Sequence, residues 1–208
     1  MKKVFFLFAT VTLIVLSCNK DKKEEPADEI IYNSPDNVSV STIRSYYTSM
    51  NPFCGELPLP DDSLAVINID LDGDQADDFS LEVKHYLQEL TQYCGHCGIF
   101  HIKTINVKPL SGEAFISLDT ASKYWIRYYN ETEIVSADDE WSQNTVTALL
   151  EDGCMIPTVN FSDTYFGLKY KNMLGWMHVQ RSGNNGLVIT GFACNKTAGR
   201  PIKTGQTE

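Results

Sequence analysis

A succession of short apolar runs with a two-residue period fills the chain from about residue 40 onward. Phe79, Leu81 and Val83 alternate with Ser80, Glu82 and Lys84, so an extended segment there has one apolar and one polar face. Runs rich in Tyr, Phe, Ile, Val and Thr cover 64–69, 79–87, 99–108, 113–118, 123–129, 164–171, 174–181 and 186–193. Turn-forming residues separate them, as at Ser111-Gly112 and along Ser182-Gly183-Asn184-Asn185-Gly186. Only 139–151 carries a helical spacing, through Trp141, Val146, Leu149 and Leu150. Short strands without interleaved helices predict an all-β fold, an antiparallel, jelly-roll-like β-sandwich with at most one short helix.

The amino terminus reads as an address. Lys2 and Lys3 precede an uncharged apolar run from Val4 to Leu16, and Ser17 and Cys18 follow. A basic start, an apolar stretch and a small residue before the cut make a secretory signal. The run is too short to span a bilayer, which takes about 20 apolar residues. Its ending, Val15-Leu16-Ser17-Cys18, resembles the bacterial lipoprotein box. That resemblance implies that residues 1–17 are removed and that Cys18 is acylated, so the mature chain sits on a membrane through its lipid. Residues 18–36 are polar, mixed in charge and contain proline, as expected of a flexible tether, which leaves 37–208 as a single folded domain. Asn19 follows the cysteine, and an acidic stretch comes soon after. This resembles the export signal of Bacteroidetes-type surface lipoproteins and implies an outer-membrane location with surface exposure.

Charge narrows the partners. The 17 Lys and Arg stand against 27 Asp and Glu, for a net charge of −10, which argues against a nucleic-acid partner. Five of the acids fall in the nine residues Asp70-Leu71-Asp72-Gly73-Asp74-Gln75-Ala76-Asp77-Asp78. Calcium takes several oxygen ligands, and alternate carboxylates on a tight turn can converge on one ion. Asp70, Asp72, Asp74 and Asp78 hold positions 1, 3, 5 and 9, and Ala76 at position 7 can offer its carbonyl. An EF-hand is excluded, because position 12 is Leu81 where that loop needs a bidentate Glu. The pattern instead resembles the D-x-D-G-D-x-x-x-D calcium loops of integrin-type FG-GAP repeats, which join two β-strands. The resemblance implies one structural Ca2+ held by Asp70, Asp72, Asp74 and Asp78. Gln75 stands where that family usually has Gly, so this chain must place a side chain on an awkward backbone. The plain alternative is a solvated acidic hairpin tip.

Six cysteines are present. With Cys18 acylated, Cys54, Cys94, Cys97, Cys154 and Cys194 remain, an odd number in an exported chain. Opposite-end placement on the 64–69/79–87 hairpin favours Cys54 with Cys94 or Cys97, leaving Cys154 with Cys194. Cys94-Gly95-His96-Cys97 reproduces the CGHC of protein disulfide isomerases, but no βαβ alternation surrounds it. A zinc site drawing on Cys94, Cys97, His96 or His101 lacks a second CxxC pair.

Recognisable catalytic motifs such as GxSxG, HExxH and the phosphate loop are missing from the chain. Asp138, Asp139 and Glu140 beside Trp141 can suggest sugar chemistry, although adjacent acids usually mark a solvated turn. Tyr165-Phe166-Gly167, Gly175-Trp176 and Gly199-Arg200-Pro201-Ile202-Lys203-Thr204-Gly205 resemble the closing segment of bacterial secreted and lipoprotein domains of unassigned function. The resemblance implies three final antiparallel strands with Trp176 packed inward. The expectation is a cell-envelope lipoprotein with a structural calcium loop and a binding or scaffold role, not an enzyme. A surface glycan-binding or adhesin module using Trp125, Tyr128, Tyr129 or Trp141 is the alternative, and a CGHC oxidoreductase comes third. Glycans and other envelope proteins are the candidate partners besides the membrane.

Overall fold

The computed structural model describes residues 28–34, 38–41, 63–90, 98–122, 124–152, 161–182 and 186–208. Fourteen strands and no helix occur among them. In chain order they are β1 (Ile30–Asn33), β2 (Val38–Ser41), β3 (Ser63–Ile69), β4 (Phe79–Leu90), β5 (Gly98–Pro109), β6 (Ala114–Ser117) and β7 (Tyr128–Tyr129). Then follow β8 (Ile134–Val135), β9 (Trp141–Ser142), β10 (Val146–Asp152), β11 (Asp163–Tyr170), β12 (Met173–Ser182), β13 (Gly186–Asn195) and β14 (Ile202–Lys203). One sheet runs β1-β13-β12-β11-β6-β9, with β2 also on β13 and β7 on β11; the other runs β10-β5-β4-β3. All the pairings between these strands are antiparallel. The order is that of two meanders, β3-β4-β5 and β11-β12-β13.

Alternation decides which side chains fill the space between the sheets. Phe79, Leu81 and Val83 of β4 and Ile105 and Val107 of β5 meet Phe166 and Leu168 of β11 and Val179 of β12 in one core. Each fully buried side chain of this kind contributes about 1.5–3 kcal/mol. The large sheet is covered on its other face as well. Leu174, Trp176 and Ala193 pack there with Val135 of β8 and Ile202 of β14, which pair as a separate two-stranded sheet. The Gly-x-Pro-Ile-x-x-Gly ending therefore closes a second core: Ile202 is the plug, and Gly199 and Gly205 take the positive φ values of 72° and 80° that turn the chain around it. Trp176 is buried, as expected, but in this second core and not between the two main sheets.

Two expectations are corrected. Residues 139–151 form β9, a turn and all but the last residue of β10 instead of a helix. The helical spacing is produced by a β-bulge, because the register of β10 on β5 slips between Thr147 and Leu149. The extra residue lets Val146 and Leu149, three apart, face the same core. The folded unit also begins before residue 37. Ile30–Asn33 pairs with Phe192–Asn195 of β13, so part of the presumed tether is an edge strand.

Candidate metal centre

The acidic run is the loop joining β3 to β4, and its own carboxylates shape it. Asp70 Oδ1 accepts the N–H groups of Gly73 and Asp74, at 2.7 and 3.2 Å, and its Oδ2 accepts that of Gln75 at 2.7 Å. Asp72 Oδ1 accepts the Asp74 N–H at 3.2 Å, and Asp74 Oδ1 accepts that of Ala76 at 2.9 Å. Asp78 Oδ2 closes the loop by accepting the Leu71 N–H at 2.8 Å. The Asp78 backbone is pinned on both sides, donating to the Ile69 carbonyl and accepting from the Leu110 N–H, each at 2.8 Å. Leu71, between Asp70 and Asp72 in the chain, buries its side chain fully in the core. Short side-chain acceptors capping local N–H groups are what Asp does best, which is why this sequence turns here.

Asp70, Asp72 and Asp78 each offer a carboxylate oxygen, and these oxygens lie within 4.8 Å of one another. Calcium–oxygen bonds of about 2.3–2.6 Å let two ligands on opposite sides of one ion stand up to about 5 Å apart. The triad can therefore hold one metal ion. Its electrostatics fit a cation too. Burial first, then the charges of Asp72 and Asp70, push Asp78 up to about 6 against the hydrogen bond from Leu71. A carboxyl so placed takes up either a proton or a positive partner.

Of the five expected ligands, the structure brings together Asp70, Asp72 and Asp78. Asp74 instead turns its Oδ2 toward Lys171 Nζ at 3.3 Å, and its carboxyl is held below the usual range, first by the Ala76 N–H and then by Lys171. Ala76 is exposed at the seventh position, between Gln75 and Asp77. Asp77 turns away and accepts from Asn68 Nδ2 at 2.8 Å. Gly73 and Gln75 have φ of 77° and 72°, so the strain expected at Gln75 is present. Gln75→Gly is accordingly expected to stabilise the fold by about 0.5–1 kcal/mol, relief of the left-handed cost outweighing the entropy of glycine. Urea denaturation midpoints check this, and a lower midpoint would refute the strain argument.

Lys171 was missed in the sequence. It lies in the turn between β11 and β12, and its ammonium also stands 3.5 Å from Asp72 Oδ2. A second unanticipated neighbour is Cys194 of β13. It is a free, buried thiol donating to the Leu71 carbonyl at 3.4 Å, in place of the Cys154–Cys194 bridge expected. Burial, with the charges of Asp72 and Asp78, pushes this thiol up to about 12, so it is a packing residue and not a nucleophile. Cys18, Cys54, Cys94, His96, Cys97 and Cys154 lie outside the described residues.

Three of the four aromatics considered for glycan contact, Tyr128, Tyr129 and Trp141, are engaged with other side chains or the backbone. Tyr129 is buried, donates to Asp139 Oδ2 at 2.9 Å and has the Arg127 guanidinium 4.4 Å from its ring centroid. Tyr128 donates to the Ala148 carbonyl and packs on Phe161 and Phe166. Trp141 is half-buried with Lys169 Nζ 4.8 Å from its ring, and Trp125 is half-buried. Asp139 also pairs with Arg127 at 2.5 Å and accepts the Ser136 N–H at 2.8 Å, so its oxygens serve the fold. On the outer face of the large sheet, His178 bridges Asp163, 2.5 Å from Nε2, and the Thr190 hydroxyl at Nδ1, and stacks on Tyr165. This chain of side chains ties β11, β12 and β13 together where the register of β12 on β13 slips past Thr190. No protein-family model, curated protein or solved structure matches the chain.

Proposed function

We propose that this chain is a cell-envelope lipoprotein, anchored through Cys18 to the bacterial outer membrane, whose sandwich is stabilised by one calcium ion and which acts by binding or scaffolding. The observation that carries the calcium reading is the convergence of Asp70, Asp72 and Asp78 within 4.8 Å on a loop rooted in the core. Hard oxygen ligands favour calcium or magnesium over softer metals. An irregular set of carboxylates on one loop suits calcium better than the strict octahedron of magnesium. When bound, the ion would neutralise the repulsion among three carboxylates, and Asp70 would keep the backbone turned toward it. The fold gains stability from the ion only as far as the site is filled, about 2.7 kcal/mol at a hundredfold excess over Kd. The anchor rests on the Lys2-to-Cys18 pattern. Two experiments test the two parts. Palmitate labelling lost in Cys18→Ala supports the anchor, and calorimetric titration with calcium at physiological salt supports the ion. Labelling that survives the substitution refutes the first, and a titration without heat or thermal shift refutes the second.

A further inference from the structure

Resting on the calcium reading, we infer that Lys171 is a built-in competitor for the cation at Asp72, giving up that carboxylate as the ion binds and keeping Asp74. Lys171 Nζ stands 3.5 Å from Asp72 Oδ2 and 3.3 Å from Asp74 Oδ2. Asp72 belongs to the convergent triad, and Asp74, like Asp77, is a loop acid that stays out of it. The position of the lysine is set by its backbone and not by the ion pair alone. Lys171 and Asn172 are the two central residues of the β11–β12 hairpin, with φ of 46° and 66°. Both left-handed positions are what a tight two-residue hairpin turn requires.

The turn is tied down independently. The Lys171 N–H donates to the Glu113 carbonyl at 3.2 Å, and the Asn172 carbonyl accepts the Gly199 N–H at 2.8 Å. The Lys171 ammonium also sits 4.4 Å from the Tyr170 ring centroid, which orients its stem over the loop. A lysine so delivered supplies one positive charge to two of the five loop acids. It therefore lowers the cost of holding the calcium-free loop, and the part of that gain made at Asp72 lowers the affinity for a divalent ion that needs the same carboxylate. Ion binding should release the ammonium from Asp72, while Asp74, outside the triad, still holds it to the loop.

The test is a calcium titration of the full chain by calorimetry, with wild type, Lys171→Met and Lys171→Arg. Met preserves the stem on Tyr170 and removes the charge. Lys171→Met should bind calcium about threefold to tenfold more tightly, Lys171→Arg should match wild type, and the gap should narrow in 1 M KCl, roughly as screening requires. Calcium binding by wild type with equal or weaker binding by Lys171→Met overturns the competitor role alone. Absence of binding by wild type and both variants overturns it together with the calcium reading.

Discussion

Asp78→Asn is expected to make the calcium-free protein more stable at neutral pH while abolishing its response to calcium. Asp78 is 1% exposed and accepts one hydrogen bond from Leu71, with Asp70 and Asp72 close by. Asparagine keeps an acceptor for the Leu71 N–H and removes a buried charge. The sign of the pH dependence follows from the raised pKa. The folded carboxyl keeps its proton to about pH 6, whereas the unfolded one releases it near 3.8. The stability owed to this group is therefore fully present below the unfolded value and is lost as pH rises through the folded one. Removing the charge recovers about 1–2 kcal/mol at pH 7.5, after allowance for side-chain relaxation. Calcium inverts the slope, since the ion requires the carboxylate that the proton removes. A calcium increment of about 2.7 kcal/mol corresponds to about 5–11 °C in Tm for a domain of this size, and it should fade below about pH 6. Scanning calorimetry at pH 4.5 and 7.5, with calcium and with chelator, reads every part of this. Asp78→Ala is the contrast: it strands the buried Leu71 N–H and costs about 1–3 kcal/mol without calcium. A variant Asp78→Asn that still gains Tm in calcium would remove Asp78 from the ligand set.

The difference between what was legible in this sequence and what was not follows from how local each feature is. Strands β4, β5, β11, β12 and β13 carry enough alternating residues for the period to register, so Phe79-to-Val83 or Tyr165-to-Tyr170 predict themselves. Ile30–Asn33 has only four residues, and its extended state depends on the edge of β13, far away in sequence at Phe192–Asn195. The same holds for β8 and β14, two-residue strands made stable by Val135 and Ile202 meeting Trp176. At Val146 and Leu149 the pattern misled, because a bulge shifts the phase of a strand into something with helical spacing. The acidic loop was legible because all its acids lie within nine residues and several cap the loop's own backbone. Lys171 is 99 residues from Asp72, and only the packing of the β11–β12 hairpin against the loop brings them together. Cys194 beneath Leu71 was likewise invisible, since residue type alone cannot separate a packed thiol from a bridged one.

That packing makes Gly175 the position where the two sheets and the loop are most exposed to a small change. A Cβ there would lie 2.6 Å from the Ala193 carbonyl oxygen, 3.2 Å from Cys194 Cβ and 3.3 Å from Leu71 Cδ2. The first contact is backbone of the adjoining strand, which pairs Gly175 with Cys194, so it cannot give way by a rotamer change. The other two are core side chains with no exposure at all. Gly175→Ala is thus expected to cost about 2–3 kcal/mol by overpacking, lowering Tm by about 4–12 °C. Gly112→Ala is the matched control, because nothing lies within 4 Å of its added carbon and its φ is not in the left-handed range; it should stay within about 0.5 kcal/mol of wild type. Combining Gly175→Ala with Leu71→Ala separates the contacts. Leu71→Ala alone should cost about 2–5 kcal/mol by leaving a cavity. If the new methyl group presses on Leu71, the double variant loses less than the sum, by about 0.5–1 kcal/mol, while the clash with the Ala193 carbonyl persists. Because Leu71 also roots the triad through its N–H to Asp78, Gly175→Ala should, on the proposed calcium reading, also weaken the response to calcium. Denaturation midpoints for Gly175→Ala and Gly112→Ala that coincide would show that β12 and β13 can part without cost, and that the loop is not wedged against them.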